Sequence, residues 1–244
     1  MKARSRLLPL GLLLLLSLTT LSAHAESPDA ESGEAPAFDR SSFHGKAEVG
    51  LGLLGLPTAK VCTNRLFLGC KRGDISPMLE LWQLFRPSPL FAFGAGITIG
   101  LFPIADAPTN EPAGVTRDHK RGYLTAEGIA RFYWLHGPVW ESWVGVTGGM
   151  VVVSDNYATN NNVTDRAYIG PRGITIRSEG YTVGIATGVT RSLSEAWTIG
   201  GTIRYGLWSL PATPARDTLG DEASLIGHVA TFVIGVNVGY RLKL

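Results

Sequence analysis

The chain has 244 residues, with 22 Lys and Arg against 20 Asp and Glu and a formal charge of +2. So balanced a composition offers no basic surface of the kind nucleic-acid binding needs, and the length suits one barrel or one sandwich. No segment beyond the first 25 residues holds 18 uninterrupted apolar residues, which excludes a spanning helix there but not spanning strands.

Residues 1–25 have the three-part layout of a secretory signal. Lys2, Arg4 and Arg6 give a positive start, Leu12 to Leu16 with Leu18 a short apolar run, and Ala23-His24-Ala25 a small-x-small cleavage site. Ser17, Thr19 and Thr20 interrupt the apolar run, leaving it too short for a stable membrane anchor. Cleavage takes three basic residues away, so 22 become 19 against 20 acidic ones and the mature charge is −1. Residues 26–45 read as a disordered acidic leader. Glu26, Asp29, Glu31, Glu34 and Asp39 lie among Pro, Ser, Ala and Gly, and such a segment buries too little to offset its chain entropy.

From Lys46 onward the apolar residues recur with period two, the signature of strands. Eight runs follow, at 46–55, 77–86, 89–102, 121–135, 138–153, 172–191, 194–209 and 225–244. In the third, Phe91, Phe93, Ala95, Ile97, Ile99 and Leu101 share one face, opposite Ala92, Gly94, Gly96, Thr98 and Gly100. The seventh and eighth repeat this scheme. The second is ambiguous, because Gln83 falls on the apolar face once Glu80 is turned inward. Cys62 and Cys70 lie in the first connection. An exported chain meets an oxidising compartment, where a close even pair is expected to form a disulfide, with free thiols the alternative. Two thiols without His or carboxylate partners make a poor zinc site.

The connections alternate in length. Pro87-Ser88-Pro89, Leu135-His136-Gly137 and Ser192-Leu193-Ser194 are tight turns, whereas 56–76, 103–120, 154–171 and 210–224 are long and polar. Short turns on one rim and long loops on the other are the pattern of a bacterial outer-membrane barrel, and an even strand count puts both ends on the periplasmic, short-turn side. The polar face is built of Gly, Ala and Thr with isolated charges, not the Lys and Glu a water-facing wall would carry. Glycine suits a crowded interior, and an eight-strand barrel leaves room only for packed side chains. Phe91, Trp134, Trp140, Trp197 and Tyr240 gather at the short-turn ends of the apolar face, as an interfacial girdle would.

With these features residues 46–244 resemble the small outer-membrane barrels of the OmpA, OmpX and OmpW type, the last strand presenting Tyr240, Leu242 and Leu244 as an assembly signal would. The resemblance implies an all-β, eight-stranded antiparallel up-and-down transmembrane barrel. It departs from the pattern in ending on Leu244 instead of an aromatic residue.

Six charges fall on the inferred lumen face: Glu48, Glu80, Glu127, Arg131, Glu141 and Arg204. Charges inside a narrow barrel must be paired, and a turn at 135–137 would set Arg131 opposite Glu141. The set reads as an ion-pair plug, with a small gated pore as the alternative. A third reading is a lipid A-modifying enzyme, which needs a His base beside a Ser nucleophile. His228 with Ser224 and Glu222 is its strongest grouping, while His119 reads as a solvated loop residue. The first long loop, with Arg65, Phe67, Lys71 and Arg72, could meet lipopolysaccharide phosphates. Phosphate-loop and dinucleotide motifs are missing, so no cofactor, metal or nucleic acid is expected, only membrane lipid and an extracellular ligand, for a monomer with a structural or surface-interaction role.

Overall fold

The computed structural model describes residues 44–61, 71–101, 104–106, 117–137, 139–159, 173–217 and 222–243. The signal, the leader as far as residue 43, and Cys62 and Cys70 with their expected disulfide lie outside the described residues. Eight long strands are present: β1 (His44–Gly55), β2 (Ile75–Arg86), β3 (Phe91–Gly100), β4 (Arg117–His136), β5 (Trp140–Thr159), β6 (Gly173–Ser192), β7 (Trp197–Ser209) and β8 (His228–Lys243). Each pairs antiparallel with its neighbours in sequence, and β1 pairs with β8 from His44–Lys243 to Gly55–Phe232. That last ladder closes an eight-stranded up-and-down barrel, which leaves no unpaired edge in the wall. β1 starts two residues inside the range expected for the leader.

Period-two alternation fixes which side chain faces where. Outward-facing Val49, Leu51, Phe93, Ile97, Val146, Ile185, Ile234 and Val236 are all exposed. A continuous exposed apolar belt around a closed wall is the surface a bilayer solvates. Its lower edge carries Phe91 against Phe132 and Trp197 against Tyr240, ring centroids 5.3 and 5.0 Å apart, with Trp134 and Trp140 beside them. On β4 to β6 it ends above Leu124, Val152 and Tyr181. Beyond these the same outward face turns polar, with Lys120, Asn156, Arg177 and Glu179. From Trp140 to Val152 the belt is therefore long enough for the 9–11 residues a spanning strand needs.

β4, β5 and β6 each run for 20 residues, against 10 to 16 for the others. One side of the barrel thus stands well above the belt. Residues 154–159, expected in a loop, are ladder, and so is His119. The inward face is lined by small residues wherever a large ring fills the bore. A Cβ on Gly96 would stand 2.4 Å from the Trp82 ring and one on Gly188 2.6 Å from Trp143, so these two positions admit only hydrogen.

Candidate functional site

The bore is filled from one rim to the other, and its lower half is a ladder of guanidinium–carboxylate pairs. Nearest the short turns, Arg86 Nη1 donates to Glu141 Oε1 at 2.8 Å, and its Nη2 donates to the Pro89 carbonyl at 2.5 Å. Above it Arg131 grips Glu48 with two parallel bonds of 3.1 and 2.8 Å, while Lys46 Nζ lies 2.8 Å from the same carboxylate. Higher still, Arg204 holds two carboxylates, Glu127 at 2.7 Å and Glu80 through its other terminal nitrogen, which also meets Thr98 Oγ1 at 3.1 Å. Thr125 donates to Glu127 at 3.0 Å. Each guanidinium also lies against a ring: Arg86 on Tyr133, Arg131 on Trp143 and Arg204 on Trp82, at 3.9, 4.0 and 5.3 Å. Paired, hydrogen-bonded and stacked, these charges meet the conditions under which ions tolerate a dry interior.

All six charges singled out in the sequence point into the bore, yet two of them do not meet as expected. Arg131 and Glu141 are not partners. The strands of this hairpin end at His136 and resume at Trp140, later than a turn at 135–137 would allow, and a bulge between Tyr133 and Leu135 shifts the ladder, so Arg131 stands opposite Gly145 and Glu141 opposite His136. Arg131 instead reaches across the bore to β1, and Glu141 to β2. Lys46 and Arg86 were missed, although each shares the parity of an inward residue on its own strand, Glu48 and Glu80 respectively.

Above Arg204 lies a cavity of about 20 Å³ whose lining includes Thr98, Thr125, Thr147, Thr182 and Thr231 together with Leu54, Trp208 and Val233. That is room for about one water molecule. It is roofed by an apolar cluster in which Leu56 and Ala59, from the first connection, and Leu210 and Leu225, from the last, pack against Met78, Tyr123, Val151, Val153 and Trp208. Two connections therefore fold into the mouth.

A second polar group pins the last connection there. Asp155 Oδ2 accepts the Ser224 backbone N–H at 2.9 Å, and Oδ1 accepts the Ser224 hydroxyl at 2.6 Å. Arg121 Nε donates to the Ser224 hydroxyl at 2.6 Å and Nη1 to Asp74 at 3.0 Å, while Tyr157 donates to the Glu222 carbonyl at 2.6 Å. His119 stacks on Tyr157 at 4.4 Å and places Nε2 2.7 Å from Asp155 Oδ1. Burial alone would raise the Asp155 carboxyl, but hydrogen bonds from His119 and from the Ser224 side chain and backbone, together with the Arg121 charge, outweigh it and hold that carboxyl below its ordinary range. His119, expected in solvent, is 1% exposed, because β4 begins earlier than its periodicity suggests. His228 is exposed at the foot of the same connection and does not join Ser224. The His119, Asp155 and Ser224 cluster is not wired as a nucleophile relay either. The serine hydroxyl donates its hydrogen bond to the carboxylate, and with Nε2 held by Asp155 the remaining imidazole nitrogen, Nδ1, which a relay would need as base, has no hydrogen-bond partner among the described residues.

No protein-family model matches the sequence, and no curated protein matches it significantly. Solved structures with a similar architecture include Neisserial surface protein A (13% identity, 84% of this chain and 98% of that one, TM-score 0.45). Others are the attachment invasion locus protein Ail of Yersinia pestis (10%, 81% and 99%, 0.44) and the outer membrane protein OprG from Pseudomonas aeruginosa (12%, 84% and 99%, 0.43).

Proposed function

We propose that this chain is an outer-membrane β-barrel with a structural or surface-interaction role carried by its extracellular loops, and that it is neither a pore nor a catalyst. The observation that carries this reading is the filled bore: three tiers of paired arginines, a cavity the size of one water, then an apolar roof. A permeating ion would have to displace bonded charges at every tier, at a cost of several kcal/mol each. What meets the outside is the extended wall of β4 to β6. Lys120 and Arg177 stand on it just above the belt, at the height where lipopolysaccharide phosphates lie, and both offer donors that phosphates accept.

On this reading the signal is cleaved after Ala25. A periplasmic position for both ends of the barrel is supported by His44 and Lys243 sharing a rim with the short turns. A Cys62–Cys70 disulfide then staples the first surface loop. The test is planar-bilayer recording of the refolded protein, with heat-modifiable gel migration to verify folding. Folded protein that gives no steady conductance is the expected result. A steady conductance altered by Arg131→Ala or Arg204→Met would overturn the sealed-barrel reading.

A further inference from the structure

The outer wall carries one residue its surroundings do not explain. Gln83 faces outward from β2, in ladder register with Ala47 on β1 and Ala95 on β3. Leu81, Val49 and Ile97 lie on the membrane-ward side of it, and Phe85 and Phe93 separate it from the short-turn rim. Its carboxamide rests over the hydrogen side chain of Gly45 and makes no hydrogen bond to any described residue. Thr187, another outward polar side chain at belt height, is satisfied by the Trp143 carbonyl at 3.0 Å, and Tyr205 there presents a mostly apolar ring. An amide facing hydrocarbon without a partner is costly, and polar side chains at membrane depth mark contacts with other protein.

We infer that Gln83 is the centre of a self-association surface, through which two copies of this chain pair along β1, β2 and β3. The occupant follows from the chemistry of the group. A primary amide offers N–H and C=O side by side, so two of them join through a pair of mutual N–H···O bonds across a two-fold axis. Copies inserted in the same orientation hold this residue at the same depth, so an axis along the membrane normal brings like to like, as an isologous contact requires. A lipid tail offers no donor or acceptor for the amide. The wall is shaped to allow the approach as well. Ala47 and Ala95 flank Gln83 in its row, and with Ala126 they line a shallow recess of about 700 Å³ in the outer face. Small residues flatten an otherwise convex wall, so two barrels touch over three strands instead of along a line. The inference rests on the lipid-facing reading of the belt, and it replaces the monomer expected from the sequence with a pair.

Cross-linking in membranes tests it. In a background with Cys62→Ser and Cys70→Ser and with Gln83 retained, Leu81→Cys, which faces outward beside Gln83 on β2, and Val183→Cys, on the opposite wall, are each expressed and treated with a short bis-thiol cross-linker. Resistance of the membrane fraction to alkaline extraction and heat-modifiable migration are checked separately, so failure of the barrel reading is distinguishable from failure of pairing. The expected result is a homodimer from Leu81→Cys and a monomer from Val183→Cys. Energy transfer between labelled wild-type copies in liposomes should weaken about tenfold in apparent affinity in Gln83→Leu, from loss of two interbarrel hydrogen bonds. Equal cross-linking at both positions, no dimer at either, a product with the mass of another protein, or unchanged energy transfer in Gln83→Leu would each overturn it.

Discussion

Replacing Arg204 with Met should break the barrel where its interior is most charged. One guanidinium there binds two carboxylates, with Glu127 at 2.7 Å, Glu80 on its other nitrogen, and Trp82 across its face at 5.3 Å. Methionine fills most of the volume and supplies no donor, leaving Glu80 and Glu127 with only the hydroxyls of Thr98, Thr125 and Thr182. Removing one partner of a buried pair costs about 3–5 kcal/mol. Two carboxylates on the order of 5 Å apart repel by about a further 3 kcal/mol at an effective dielectric near 20, a term that relaxation of flexible glutamates reduces. A loss of about 4 kcal/mol, roughly a thousandfold in the folding equilibrium, is the expected outcome. It is measured by urea titration of the protein folded into lipid vesicles, read by tryptophan fluorescence and gel migration. The variant Arg204→Met with Glu80→Gln and Glu127→Gln keeps the shape and removes the stranded charges. It should recover to within about 2 kcal/mol of the parent, because neutral replacement of buried ions is often tolerated. A single-variant loss below about 1 kcal/mol would mean that water reaches these groups, and the sealed bore would be refuted with it.

A double-mutant cycle on Arg131 and Glu48 should show a coupling of about 1–3 kcal/mol in the same titration, while Arg131 with Glu141 should couple by less than about 0.5 kcal/mol. The reverse order would restore the partnership expected from turn counting. Gly188→Leu should drive the Trp143 ring off Arg131, since even a Cβ there stands 2.6 Å from the ring, and should cost at least about 1–3 kcal/mol; a stable variant with unchanged tryptophan fluorescence would contradict that packing. At the mouth, a carboxyl held low in the folded state contributes stability above its unfolded pKa and loses it as pH falls through the folded value. The protection of residues 222–225 in hydrogen exchange, taken relative to the intrinsic rate at each pH, should therefore match at pH 7 and pH 5 and fall only below the ordinary carboxylate range. In Asp155→Asn that protection should be low at all three, and loss of wild-type protection already at pH 5 would sink this assignment.

The parts of this structure that could be read from the sequence are those that depend only on parity. Eight alternating runs, three short turns and the inward set of six charges need nothing more than knowing that side chains two apart share a face, and an even slip in register leaves that set unchanged. Partners are another matter. Moving one turn later along the chain and adding a bulge at Tyr133 kept Arg131 and Glu141 pointing inward but separated them, and nothing in a single strand says that Glu48, 83 positions away, lies across the bore. His119 was misplaced for a related reason. Above the belt the outer face turns polar, with Lys120 and Arg177, while the inner face stays mixed, so alternation fades where β4 to β6 still continue as ladder. Gln83 was visible from the start as an exception to its strand, but whether it faced inward or outward depended on where Glu80 pointed. The same physics separates fold from function in this chain. Inside, ions must be paired; around the belt, side chains must be apolar. Both rules leave regular marks on the sequence. The projecting wall and the loops meet water, where neither rule operates, so the residues that would meet a ligand or partner there are the ones whose pattern says least.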